Sequence, residues 1–204
     1  MGKMLIINLK TYKFGNEEIA KIIGRKGIIA CQAMEIKTLS KFSTIYAQHV
    51  DSFEPGRHTG YILPESVKKA GAKGVILNHS EHKLSLNVLK ATINRCKKLN
   101  LKTLICVSSL GEVKKIKKLK PSMIAYEARE LIGTGKSVSK SKPKIVENFV
   151  KSLKNTKIIP LCGAGISDGE DVRIAKQLGC KGVLVASAIA KAKNPKKIIK
   201  DLKW

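Results

Sequence analysis

The chain has 204 residues, 43% of them apolar, enough for one sizeable core and hence one domain over 1–204. Its 40 Lys and Arg against 15 Asp and Glu give a formal net charge of +25, which draws polyanions and small anions, yet aromatics at 4% are too few for base stacking, so specific nucleic-acid recognition is not expected. No run of 18 apolar residues argues for a membrane span, and an N-terminus that soon turns polar points to the cytoplasm.

Short apolar runs alternate with helix-like segments along the whole chain. The first run is Met4 to Ile7, followed by a short helix around Glu17 to Gly24. Runs at Gly27 to Cys31, Thr44 to Ala47 and Gly74 to Leu77 come next. A helix then places Leu86, Leu89, Ile93 and Cys96 on one face, with Lys90, Arg95 and Lys97 toward solvent. Thr103 to Val107 and Met123 to Tyr126 are the fifth and sixth runs; Ile145, Phe149 and Leu153 mark another helix. After Lys157 to Cys162, a capping-box pattern at Ser167 to Glu170 starts a helix that buries Val172, Ala175 and Leu178 before Gly179 ends it. Gly182 to Val185 is the eighth run.

Continuous rather than alternating apolar runs are those of parallel strands buried on both faces. Eight of them predict an α/β fold, a closed (β/α)8 barrel with shortened helices. An open doubly wound sheet is the runner-up, but no GxGxxG follows the first strand. GAKGVIL (71–77) and GCKGVLV (179–185) lie 108 residues apart, a spacing that fits the fourth and eighth units of such a barrel. The five cysteines include no CxxC pair and fall mostly in apolar runs, which argues for reduced packing residues and against a zinc site.

A barrel of this kind forms its site at the carboxyl ends of the strands. Asn8 and Lys10 end the first strand, Gln48 and His49 the third, Asn78 to Glu81 the fourth and Glu127 the sixth. Small residues after the seventh and eighth strands, Gly163 to Gly165 and Ala186 to Ala188, expose backbone N–H groups suited to a phosphate; Gly133 and Gly135 offer a third side. Tight turns without a ligand are the bland alternative for each segment alone. Lys10, His79 and Glu127 then remain for chemistry. A carboxylate can remove a proton beside a carbonyl while imidazole and ammonium stabilise the oxyanion, although Lys10 could equally form a Schiff base. Gly135-Lys136-Ser137 is no nucleotide loop, because GxxxxGKS needs glycine at the position held by Glu130.

At these residues the sequence resembles the triosephosphate isomerase family, especially its short archaeal branch. The matching phrases run in family order: INLKTY (7–12), YAQ (46–48), HTG (58–60), NHSEHK (78–83), AYE (125–127), ELIGTG (130–135), CGAGI (162–166) and VLVASAIAKAKNP (183–195). The resemblance implies interconversion of dihydroxyacetone phosphate and glyceraldehyde 3-phosphate through an enediolate, without cofactor or metal. It casts Glu127 as the base, His79 as the electrophile and Lys10 as the charge-neutralising cation, the familiar division of labour in this family. Asn8 and Leu9 flank Lys10 at the substrate; Ile132, Gly133, Gly165, Ala186 and Ser187 match the backbone that grips the phosphate.

The resemblance further implies a lid over Ala128 to about Lys136. Family members place proline directly after the base, whereas Ala128-Arg129 stand here, so a less rigid hinge is expected. Thr59 matches a loop that reaches a neighbouring subunit, implying a homo-oligomer, a tetramer before a dimer. A Schiff-base aldolase on the same barrel, or a basic nucleic-acid-binding protein, are the competing readings.

Overall fold

The computed structural model describes residues 4–128, 131 and 137–202. Eight parallel strands follow one another around a closed barrel: β1 (Met4–Asn8), β2 (Ile28–Cys31), β3 (Thr44–Ala47), β4 (Gly74–Leu77), β5 (Lys102–Val107), β6 (Met123–Tyr126), β7 (Ile159–Cys162) and β8 (Gly182–Val185). β1 pairs with β2 on one side and β8 on the other, Ile6 lying opposite both Ile28 and Leu184. Alternate side chains divide the core in two. Ile6, Ala30, Ile76, Leu104 and Leu161 pack inside the barrel, while Ile7, Ile29, Val75 and Ile105 pack outward against the helices. Burial on both sides is why the runs lack polar alternation.

The helices are α1 (Glu17–Ile23), α2 (Ile36–Leu39), α3 (Pro64–Lys69), α4 (Leu86–Lys98), α5 (Leu110–Ile116), α6 (Val138–Ser141), α7 (Pro143–Ser152), α8 (Gly169–Gln177), α9 (Ser187–Ala190) and α10 (Pro195–Asp201). Among the described residues only α4, α7 and α8, with 13, 10 and nine residues, run longer than the seven of α1 or α10. Each buries a stripe and ends at a local signal. Ser85 accepts from Val88 N–H at the start of α4, and Gly179 at φ 92 turns the chain out of the α8 end. Among the described residues no helix is long and apolar enough to cross a membrane.

Three details depart from the sequence reading. Arg95 does not face solvent: it is buried at 9%, its guanidinium held between Glu54 and Glu65. Leu86, on the predicted buried face of the same helix, is exposed at the helix's first position. The capping box of α8 is shifted by one residue: Asp168 is the N-cap and Asp171, not Glu170, returns the bond to its N–H. An aspartate cap takes the place the serine was given.

The similar phrases at 71–77 and 179–185 are structurally equivalent. Lys73 N–H donates to Ile45 on β3 at 2.7 Å, and Lys181 N–H donates to Pro160 on β7 at 2.8 Å. Gly74 and Gly182 then open β4 and β8 where the next strand presses closest: a Cβ at Gly74 would lie 2.6 Å from the Lys102 carbonyl. All five cysteines are buried and unpaired as disulfides.

Candidate active site

Lys10, His79 and Glu127 come together at the carboxyl ends of β1, β4 and β6. Glu127 follows β6 directly, and its N–H donates to Val107 at 2.8 Å, so the backbone fixes where the side chain starts. Its carboxylate is buried, and Oε2 lies 3.7 Å from Nε2 of His79 without a hydrogen-bond partner among the described residues. A buried carboxylate oxygen left unpaired costs free energy, and it is tolerated where it serves chemistry. The glycine after β7 makes room for it: a Cβ at Gly163 would stand 2.7 Å from Glu127 Cγ. Cys106, on β5 behind the carboxylate, has its thiol pushed well above its ordinary range by burial and then by the Glu127 charge.

His79 is held by its own turn. Glu81 N–H donates to Nδ1 at 3.2 Å, which makes Nδ1 an acceptor and leaves Nε2 to carry the ring proton toward the cavity. A Glu81 carboxylate oxygen also lies 3.5 Å from Nδ1, but the backbone N–H is nearer and the other carboxylate oxygen is engaged 2.6 Å away by Lys10 Nζ. Asn78 braces the same turn, donating from Nδ2 to Cys106 carbonyl at 2.9 Å and accepting from Leu84 N–H at 3.1 Å. Lys10 adopts a left-handed φ of 50°, supported by Asn8 Oδ1, which accepts its N–H at 3.1 Å. Gln48 completes this knot by donating from Nε2 to Asn8 Oδ1 and to the Lys10 carbonyl, at 3.2 and 3.0 Å.

A cavity of about 400 Å³ opens between these groups and the turns after β7 and β8, lined by Asn8, Lys10, His79, Glu127, Gly165, Ala186 and Ser187. Ala164 and Gly165 are consecutively left-handed, at φ 66° and 70°, and this doubled turn is a concave strip of the kind that gathers backbone N–H groups for an anion. Leu9 is not brought to the cavity: its side chain is 1% exposed in the outer core and its N–H donates to Ala30. Ile132 and Gly133, with most of the proposed lid, lie outside the described residues. Ala128, the first lid residue, is buried, and its carbonyl accepts from Leu131 N–H at 2.9 Å.

Tyr12 and Ser167 also line the cavity, and Glu81 anchors the lysine, roles at the site that the sequence does not assign to them. Tyr12 and Glu81 sit inside phrases already singled out. For Ser167 the only sign was its place at a helix start. Among the described residues no cluster of His, Cys, Asp and Glu could hold a metal ion.

A closed parallel barrel with ionisable side chains and a small-residue turn at its carboxyl mouth puts the chain among the (β/α)8-barrel enzymes. A family model described as triosephosphate isomerase matches residues 3–202. The triosephosphate isomerase of Methanocaldococcus jannaschii is 44% identical, over 98% of this chain and 98% of its own. That of Sulfolobus acidocaldarius is 41% identical, over 97% and 92%, and that of Methanoculleus marisnigri 40%, over 97% and 96%. The crystal structure of the Bartonella henselae triosephosphate isomerase superposes with a TM-score of 0.71 at 20% identity, covering 93% of this chain and 94% of that one, which speaks to the fold alone. The chain belongs to the triosephosphate isomerase family.

Proposed function

We propose that this protein interconverts dihydroxyacetone phosphate and glyceraldehyde 3-phosphate, as a single barrel domain and without cofactor or metal. The observation that carries the reading is the approach of Glu127 Oε2 to His79 Nε2, 3.7 Å apart, with Lys10 lining the same cavity. Glu127 takes a proton from the carbon beside the carbonyl and returns it to the neighbouring carbon. Donation from His79 Nε2–H and the charge of Lys10 stabilise the oxygen of the enediolate as it forms. Gly165, Ala186 and Ser187, with Ile132 and Gly133 from the segment after Glu127, hold the phosphate; exclusion of water keeps the enediolate from ejecting it.

The aldolase alternative is weaker, because Lys10 is held by the Glu81 carboxylate at 2.6 Å as a cation rather than presented as a free amine. Thr59 on the loop between β3 and α3 supports a homo-oligomer, tetramer before dimer; a monomer mass by light scattering would remove that part. A coupled assay for glyceraldehyde 3-phosphate tests the whole reading. Wild-type turnover should fall by at least about a thousandfold in Glu127→Gln, and equal rates would exclude Glu127 as the base.

A further inference from the structure

The fold sorts the lysine surplus in a way that the linear chain conceals. In a parallel barrel the turns that lead into the strands share the face opposite the catalytic mouth. From β2 to β8 every such entry carries lysine, and none carries Asp or Glu. Lys26 precedes β2, Lys41 β3 and Lys73 β4, and Lys102 opens β5. Lys120, Lys157 and Lys181 repeat the pattern ahead of β6, β7 and β8. All are exposed, and none is ion-paired among the described residues. The carboxylates follow the strands instead, as Asp51, Glu81, Glu112, Glu127 and Asp168 do on the mouth side.

Helix dipoles account for part of this. The C-terminal end of a helix carries roughly half a negative charge and favours lysine in its last turn, as with Lys68 and Lys69 in α3. Lys73, Lys157 and Lys181 lie beyond those last turns, at the strand entrances. Lys117 Nζ donates to the Ser152 carbonyl at 3.2 Å, which brings together the segments before β6 and β7 and with them Lys118, Lys120, Lys154 and Lys157.

We infer that this face binds the phosphate backbone of duplex nucleic acid without regard to sequence. A chain of phosphates meets lysine at each turn and no opposing carboxylate, and each phosphate neutralised releases counterions. Lysine serves as a point charge that needs no fixed geometry, and backbone contact needs none of the stacking aromatics that the chain lacks. An anionic bilayer fits less well, because none of the large exposed apolar side chains lies in these turns to insert into it. An acidic peptide would occupy one groove, whereas the lysines run from the entrance of β2 round to that of β8.

The test is fluorescence anisotropy of a short labelled duplex titrated with the intact protein across about 50 to 200 mM salt. Binding should weaken steeply with salt. Reversing Lys118, Lys120, Lys154 and Lys157 together to glutamate should lower affinity at least about tenfold and reduce the salt slope by about three to four. A control with Lys193, Lys196, Lys197 and Lys200 reversed has the same net charge, and it should lose far less. Isomerase turnover should be unchanged in both variants and at saturating duplex, since the two sites lie on opposite faces. Absence of binding, equal losses in the two variants, inhibition by the duplex, or preference for anionic vesicles or polyglutamate would each overturn the assignment.

Discussion

Glu127 and His79 face each other across the barrel mouth, carboxylate Oε2 to imidazole Nε2 at 3.7 Å, with no hydrogen bond between them and no other partner for that oxygen among the described residues. The gap sets how far the base can retreat. Glu127→Asp withdraws the carboxylate by one methylene, and misplacement by about 1 Å costs on the order of a hundredfold in rate. Steady-state kinetics should show kcat down by about that factor with KM changed little; an unaltered kcat would mean that the carboxylate position is not critical.

Gly163 bears on the same carboxylate from behind. A methyl group there would sit 2.7 Å from Glu127 Cγ, between fixed walls of the barrel. Gly163→Ala should lower kcat at least about tenfold and destabilise the fold by about 1–3 kcal/mol through overpacking. Urea unfolding alongside the assay separates the two effects, and wild-type kinetics in a folded variant would contradict the crowding.

Arg95 ties the loop after β3, through Glu54, and the start of α3, through Glu65, to α4. Both carboxylates retain access to water, so removing the guanidinium leaves them able to rehydrate. Arg95→Met should cost about 1–2 kcal/mol, below the range for a fully buried pair, as read from the urea midpoint. A loss under a few tenths would show the network to be inert.

Lys140 on α6 lies 3.0 Å from Asp171, 3.2 Å from Glu170 and 3.4 Å from Asp168, and Asp171 foremost holds its pKa above the usual lysine range. Asp171 in turn accepts from Ser167 N–H and hydroxyl at 2.8 and 3.0 Å, and Ser167 lines the cavity. Lys140→Met should therefore raise KM and the inhibition constant for inorganic phosphate several-fold, by about three to ten times, with kcat within about twofold. Lys140→Arg should restore most of the affinity. A general loss of kcat instead would point to misfolding of the turn.

Acid should weaken the fold through Asp171 and Glu112. Burial alone would raise both pKa values, but bonds from Ser167 and Lys140, and from Ser108 and Lys83, outweigh it and leave both lowered. A carboxylate lowered in the folded state stabilises above its unfolded pKa of about 4, and the stabilisation is lost as pH falls through the folded value. Urea midpoints should drop below about pH 4.5, and Asp171→Asn should flatten that slope while lowering stability at pH 7.

The strands were legible because each is an apolar run buried on both faces, so location and type coincide in four to six residues. Thr44 to Ala47, Gly74 to Leu77, Met123 to Tyr126 and Gly182 to Val185 begin and end where the sequence placed them. The other boundaries moved by one or two residues, where a polar residue or glycine flanks the apolar run: β1 takes in Asn8, β2 leaves out Gly27, β5 takes in Lys102, and β7 leaves out Lys157 and Ile158. Strand-end position likewise singled out Lys10, His79 and Glu127. Arg95 was misplaced because helical periodicity reports which face a residue occupies, not whether two carboxylates from another segment cover that face.

By itself, then, the sequence determined the alternation of strands and helices, the family, and the residue types available at the barrel mouth, because these depend on neighbours a few positions away. Only the tertiary structure decided that Glu81 grips Lys10 across 71 positions of chain, that Gly163 clears space for Glu127, and that Leu9 turns away from the cavity. It also decided that lysines scattered along the chain gather at the entrances of β2 to β8, in turns without Asp or Glu. Such relations arise when eight strands close into a ring and side chains distant in sequence share one end of it, a geometry that no local periodicity encodes.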